Sequence, residues 1–303
     1  MSSETDEGTN TMSWTFPLTG LATDHVPNNR VVAVMINNYP KARPQTGLYK
    51  ADLVYEVLAE GDITRFLALY QSEEPEKVGP VRSARDYFID LSNGFDALYI
   101  CHGWSPKAQQ MLQSGAVDYF NGFFYDGTLF KRDPSRKAPH NSYVSFENMK
   151  KEAEKKGYRL EGEIKPLPFF ENEQMNGQSV HTIDIFYSKQ SYAHVRYTYD
   201  GDKYIRYSGG VQTVDRETKT PIAVQNVFVV EMEHKVVDNE GRRDINLTSG
   251  GKAYLFQKGT MQQVEWKNVD GRILPYKDGI PLGFVPGKIW INVVPTLNEV
   301  HYE

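Results

Sequence analysis

The sequence predicts two domains: a mixed α/β (α+β) N-terminal domain over 26–160 and a β-rich C-terminal domain over 179–303. Three observations carry this. A chain of 303 residues is long enough for two cores. Helical patterns with caps occur only before Gly157. Beyond it, short β-branched and aromatic runs alternate with Gly and Asp turns. Residues 161–178 read as a linker, and 1–25 as a disordered tail. The two domains have the composition to share one layered sheet-and-helix core.

The elements follow in order. Residues 1–11 are rich in Ser, Thr, Glu, Asp and Gly, so ordering them would cost entropy without burial. Their deletion is expected to leave the melting temperature unchanged. The apolar β-branched run 31–36 is a buried strand. Residues 51–59 and 63–70 are two further strands, joined by a type II′ turn at Gly61-Asp62. Residues 82–91 read as a helix, with Ser83 and Asp86 spaced as a capping box. A short buried strand spans 96–101. Ser105-Pro106 opens a second helix that Gly115 ends, and 145–156 is a third, stopped by Gly157. In the C-terminal half the clearest strands are 223–237, 252–257, 261–266 and 288–294.

Composition narrows the function. A net charge of −5 argues against a nucleic-acid partner, because such domains carry a basic excess. The 40% apolar share is ordinary, and 19 tyrosines suit half-exposed sheets. Cys101 is the one cysteine, so no intrachain disulfide forms; it reads as a small buried hydrophobe.

The chemistry lies between residues 44 and 141, where charged residues and histidines sit at the ends of apolar segments. If Gly61-Asp62 is a two-residue turn, Leu58 faces Arg65, and Glu56 and Glu60 are both diagonal to it at roughly 7–8 Å. The three then form either part of a site or a surface ion-pair ladder worth about 0–1 kcal/mol. Arg82 and Arg85 are spaced to share the first turn of a helix, where the dipole disfavours cations. An anion between them would relieve that, as would pairing to Asp86, Asp90 or a distant carboxylate. His102 follows a buried strand and precedes a helix, a common ligand position in α/β sheets. Arg132, His140 and Asn141 lie in a loop stiffened by Pro134 and Pro139; Arg136 reads as solvated. No close-spaced metal ligands, Gly-x-Ser-x-Gly elbow or phosphate loop occurs, so no metal or cofactor is expected.

These segments also carry a resemblance. Pro44-Gln45-Thr46-Gly47-Leu48, Ala51-Asp52-Leu53-Val54-Tyr55-Glu56, Glu60-Gly61-Asp62-Ile63-Thr64-Arg65-Phe66, Gly79-Pro80-Val81-Arg82-Ser83-Ala84-Arg85, His102-Gly103-Trp104-Ser105 and Ala138-Pro139-His140-Asn141 are similar to the N-terminal domain of the YerB-like family of bacterial lipoproteins. Gly250-Gly251-Lys252-Ala253-Tyr254-Leu255-Phe256 and Pro286-Gly287-Lys288-Ile289-Trp290-Ile291-Asn292-Val293-Val294-Pro295 resemble its C-terminal domain. The family's function is unknown. The resemblance implies an extracytoplasmic protein that meets the membrane only through a lipid anchor, which this sequence does not show. It supplies no catalytic residues.

The leading expectation is an envelope binding or accessory module. Its Arg/His cleft would hold an anionic small molecule or cell-wall fragment, with a membrane protein as a further partner. A hydrolase or transferase acting on a wall polymer, with His102 or Glu56 as base, is the second reading. A scaffold that docks a protein partner is the third. Arg65, Arg82, Arg85, His102, Arg132 and His140 are expected to line one concavity, with Glu56, Glu60 and Asn141 beside them.

Overall fold

A computed structural model describes residues 14–170 and 177–303. The predicted tail 1–11 and residues 171–176 of the predicted linker lie outside the described residues. The fold is two-domain, mixed and strand-rich with few helices, as the sequence reading expects. Its centre is a twelve-stranded sheet to which both halves contribute. Val32–Asn37, Leu53–Glu60 and Ile63–Tyr70 lie near its middle and are buried along nearly their whole lengths. That matches their near-continuous apolar runs, since a strand covered on both faces has no polar side.

The seam between the halves is a parallel pair. Ile289–Val294 runs beside Leu53–Glu60 with Ile291 opposite Tyr55, and its other edge pairs with Asn226–Glu231. Both cores cross this seam. Val54, Val229 and Trp290 share one face, and Tyr55, Phe228 and Ile291 share the other. A smaller sheet that includes Thr182–Phe186, His194–Tyr199 and Tyr204–Ser208 covers the first face through Ile183, Tyr197 and Tyr204. Helices Asp86–Asn93 and Pro106–Gln113 cover the second, through Phe88, Leu91 and Ala108. The helix Phe146–Lys156 has the predicted stop, with Gly157 at φ 70°, and Ser145, read as its first residue, is instead its N-cap and accepts from Asn148 N.

Four expectations need correction. Residues 14–25 are folded rather than part of a tail. Trp14–Thr15 pairs with Ala22–Thr23, Leu18 is fully buried, and Gly287 N donates to Thr19 O at 2.7 Å. The described parts of 161–178 are docked: Leu167 is buried, and Gln178–Ser179 adds to the central sheet. The helix read at 82–91 begins only at Asp86, and no Ser83 cap forms. Its predicted first turn is instead extended chain, because Arg82 N donates to Met35 O and Ala84 N to Gly103 O. Finally, the hairpin turn forms at Gly61-Asp62, but a bulge between Leu58 and Glu60 shifts the register, so Arg65 faces Val57 rather than Leu58.

Candidate functional site

The bulge decides which acid meets Arg65. Opposed residues share a face, so Arg65 and Glu56 emerge on opposite sides of the sheet. Glu60, moved over by the extra residue, takes Arg65 Nη2 on one oxygen at 2.5 Å and Arg85 Nη2 on the other. Arg65 and Arg85 are 4% and 7% exposed. This is an internal ion network rather than a surface ladder. Arg85 spends its charge there.

Glu56 is fully buried on the other face. Arg206, from the C-terminal half, donates to both its oxygens at 3.0 and 2.8 Å. Trp290 Nε1 adds a bond at 3.0 Å and Thr64 Oγ1 one at 2.9 Å. The Arg206 guanidinium also lies 4.8 Å from the Trp290 ring and 5.2 Å from the Phe66 ring. Glu56 is therefore spent on holding the two halves together and is unsuited to act as a base.

The remaining residues gather at the outer ends of the sheet strands. Ser142 pairs with Arg132 across two short strands, and both reach His102. His102 Nδ1 lies 2.7 Å from Ser142 Oγ, and its Nε2 lies 3.1 Å from Arg132 Nη2. Arginine can only donate, so Nε2 accepts and the ring proton sits on Nδ1, donating to Ser142. Burial lowers the His102 pKa, Arg132 and Arg82 lower it further, and Asp126 opposes them. Arg132 also grips Asp126 and donates to Asn141 Oδ1 at 3.0 Å. His140 stacks on Tyr39 with 5.0 Å between ring centroids. Asn37 Oδ1 accepts from Tyr39 N, which turns Asn37 Nδ2 toward His140 Nδ1 at 2.9 Å. His140 therefore accepts at Nδ1 and keeps its proton on Nε2. Burial lowers its pKa too, with Arg82, Lys41 and Arg136 adding to the effect.

Arg82 stands between these groups. Its charge bears on His102, on His140 and on Arg65. Burial, then Arg65, pushes its pKa down to about 10. Among the described residues its guanidinium makes no hydrogen bond and no ion pair. Arg82 and Arg85, expected to grip one anion from one helix turn, thus point to different neighbours.

Sequence reasoning missed several residues here. Ser142 and Asn37 orient the two histidines, and Asn37-Asn38 at the end of a buried strand was an available signal. Gly122 gives His102 its room: a Cβ there would fall 2.1 Å from the imidazole Nδ1. Arg136, read as solvated, instead donates to Ala42 O and Pro44 O, each at 2.7 Å. Among the described residues no cluster of three His, Cys, Asp or Glu side chains could hold a metal ion.

The His102–Ser142 contact resembles a base and its nucleophile, but the geometry opposes that role. Ser142 is 1% exposed, and the His102 nitrogen facing it already carries the proton. Beside the cluster, Phe123 and Phe124 are 59% and 62% exposed, and both meet the Trp104 ring edge-on.

Comparison with known proteins follows the two-half architecture. The N-terminal domain of the family described as "Protein of unknown function (DUF3048)" matches residues 18–159, and its C-terminal domain matches residues 183–291. The Bacillus subtilis (strain 168) protein named "Putative lipoprotein YerB" is 54% identical over 286 residues, spanning 93% of this chain and 86% of that protein. The crystal structure of YerB protein from Bacillus subtilis aligns with a TM-score of 0.91 at 53% identity, covering 96% of this chain and 99% of that one.

Proposed function

The chain belongs to the DUF3048 family, a two-domain family of unknown function, and on that premise we propose that it is an envelope binding module that holds an anionic ligand at Arg82. The name of its Bacillus subtilis relative supports a lipid-anchored, extracytoplasmic setting. Among the described residues no helix is long and apolar enough to cross a membrane.

One observation carries the ligand class: a half-buried guanidinium that has no partner among the described residues, flanked by two neutral imidazoles. A part-buried cation is costly to leave uncompensated, and an anion would gain charge-assisted bonds there. His140 Nε2–H is a further donor. Phe123, Phe124 and Trp104 offer apolar faces beside it, which suits an extended ligand such as a cell-wall fragment carrying phosphate or carboxylate.

The test is a thermal-shift and calorimetric titration with phosphate, sulfate, muropeptides and teichoic acid fragments. An anion should stabilise the wild type by about 2.7 kcal/mol at a hundredfold excess over Kd. The response should weaken with salt and tighten as pH falls, because a bound anion favours charged imidazoles. Arg82→Ala should lose the response. Arg85→Ala should lose stability but keep it, since Arg85 pairs with Glu60. If no anion stabilises the wild type, or Arg82→Ala responds equally, the reading is wrong. The exposed Phe123–Phe124 pair then makes docking of a protein partner the reading to pursue.

A further inference from the structure

A second cleft, which Arg82 does not line, lies between the halves. The loop that follows the strand Val32–Asn37 forms one wall through Pro40, Arg43, Pro44 and Gln45, and the C-terminal segment 191–214 forms the other. Its volume is about 390 Å³, within the usual range for small-molecule sites. We propose that this cleft binds a small apolar carboxylate that also carries an N–H or O–H donor, the chemistry of an N-acyl amino acid.

The wall's unmet polar groups define that chemistry. Gln45, Arg206 and Ser208 line the cleft and are each more than nine-tenths buried. Among the described residues, Gln45 Oε1, Arg206 Nε and Ser208 Oγ have no hydrogen-bond partner. The residues lining the cleft thus hold three buried polar atoms that a ligand hydrogen bond would relieve. Gln45 Nε2 donates to Asn37 O and Asn38 Oδ1, each at 3.1 Å, which fixes Oε1 as a pure acceptor. A ligand group with an N–H or O–H donor would satisfy Gln45 Oε1, and sulfate, fully ionised, brings none.

Arg43 sets the charge. Its Nε donates to Asn38 O and Asn38 Oδ1 at 3.0 Å, and its Nη2 to Tyr192 O at 3.0 Å. All of these are neutral oxygens, and among the described residues no carboxylate pairs with it. Glu56, the acid whose charge reaches it, is already neutralised by Arg206. A carboxylate on the ligand would complete Arg43 with a charge-assisted bond. Pro40, Pro44, Tyr192, Val211 and Val214 supply the walls for an apolar body.

The test uses the full chain and isothermal titration with N-acetyl-L-leucine and N-acetyl-L-phenylalanine, each against its carboxamide. At least one acid should bind the wild type, and its carboxamide should bind about tenfold or more weakly. Arg43→Met should lose the same factor. Val211→Trp fills the rim from a side chain that is exposed in the free protein, so it should block binding without unfolding the chain. Should Arg43→Met fail to fold, the carboxamides and Val211→Trp carry the test. Arg82→Ala should bind as the wild type does, which keeps this cleft distinct from the anion site. The proposal is overturned if neither acid binds below roughly 10 mM. It is also overturned if the carboxamides bind equally, if Val211→Trp binds unchanged, or if Arg82→Ala abolishes binding.

Discussion

His234 carries a pH dependence that a titration of stability can isolate. Its Nδ1 donates to Met232 O at 2.8 Å, and its Nε2 is buried without a partner among the described residues. Burial, with help from Arg243, pushes its pKa from 6.5 down to about 4. The sign follows from proton counting: below pH 6.5 the unfolded chain takes up a proton that the folded one refuses until about 4. Stability should therefore fall as pH drops through this window, and the loss from this residue should level off near about 3 kcal/mol. Urea titrations of wild type and His234→Gln at pH 7 and pH 4 read the difference directly. If both proteins lose the same stability, the folded histidine is already charged. His102 and His140 add the same sign, because burial lowers both, and they cancel in the comparison. The same residue scale shows how far the sequence could be read. Arg82 and Arg85 look alike in the chain, yet among the described residues one is unpartnered and the other bonds Glu60. What separates them is the backbone between residues 79 and 85, which pairs with neighbouring chain segments instead of coiling. No local pattern announces such pairing.

At the scale of elements, caps and turns were legible because their causes are local. Ser105 caps its helix and Gly157 closes the third, as the sequence suggests. The bulge before Glu60 was not legible. It adds one residue to an otherwise regular strand, and that single shift sends Glu56 and Arg65 to opposite faces. The short helix Gly122–Tyr125 is a second element with a hidden role, because its first residue sets the space for His102. Gly122→Ala should force the imidazole away from Ser142, since it is packed against Phe123 and Phe130 and has little room to yield. The expected cost is about 1–3 kcal/mol of stability from overpacking. If the proposed site is right, the anion response should also fall by about tenfold. The His102 ring resonances in NMR spectra give an independent readout. Unchanged shifts together with wild-type stability would show that the backbone absorbs the methyl group at no cost.

At the scale of the molecule, the two halves are one sheet. Composition and turn spacing reveal an α/β half and a β half. The parallel pairing of Ile289–Val294 with Leu53–Glu60 joins opposite ends of the chain and leaves no local signature. Its energetic consequence is that neither half has a complete core alone. Without the C-terminal half, Val54 and Tyr55 would lose Trp290 and Ile291 from their respective faces, and Glu56 would lose Arg206. An edge that long and apolar would be prone to aggregate. Unfolding should therefore be a single cooperative transition, with equal calorimetric and van't Hoff enthalpies. Glu56→Ala should lower stability by about 3–5 kcal/mol, because it leaves the Arg206 charge buried and unpaired. Its melting curves by far-UV circular dichroism and by tryptophan fluorescence should still coincide. A Glu56→Ala protein in which only one half melts early would show that the seam does not couple the two, and that each half carries a core sufficient for itself.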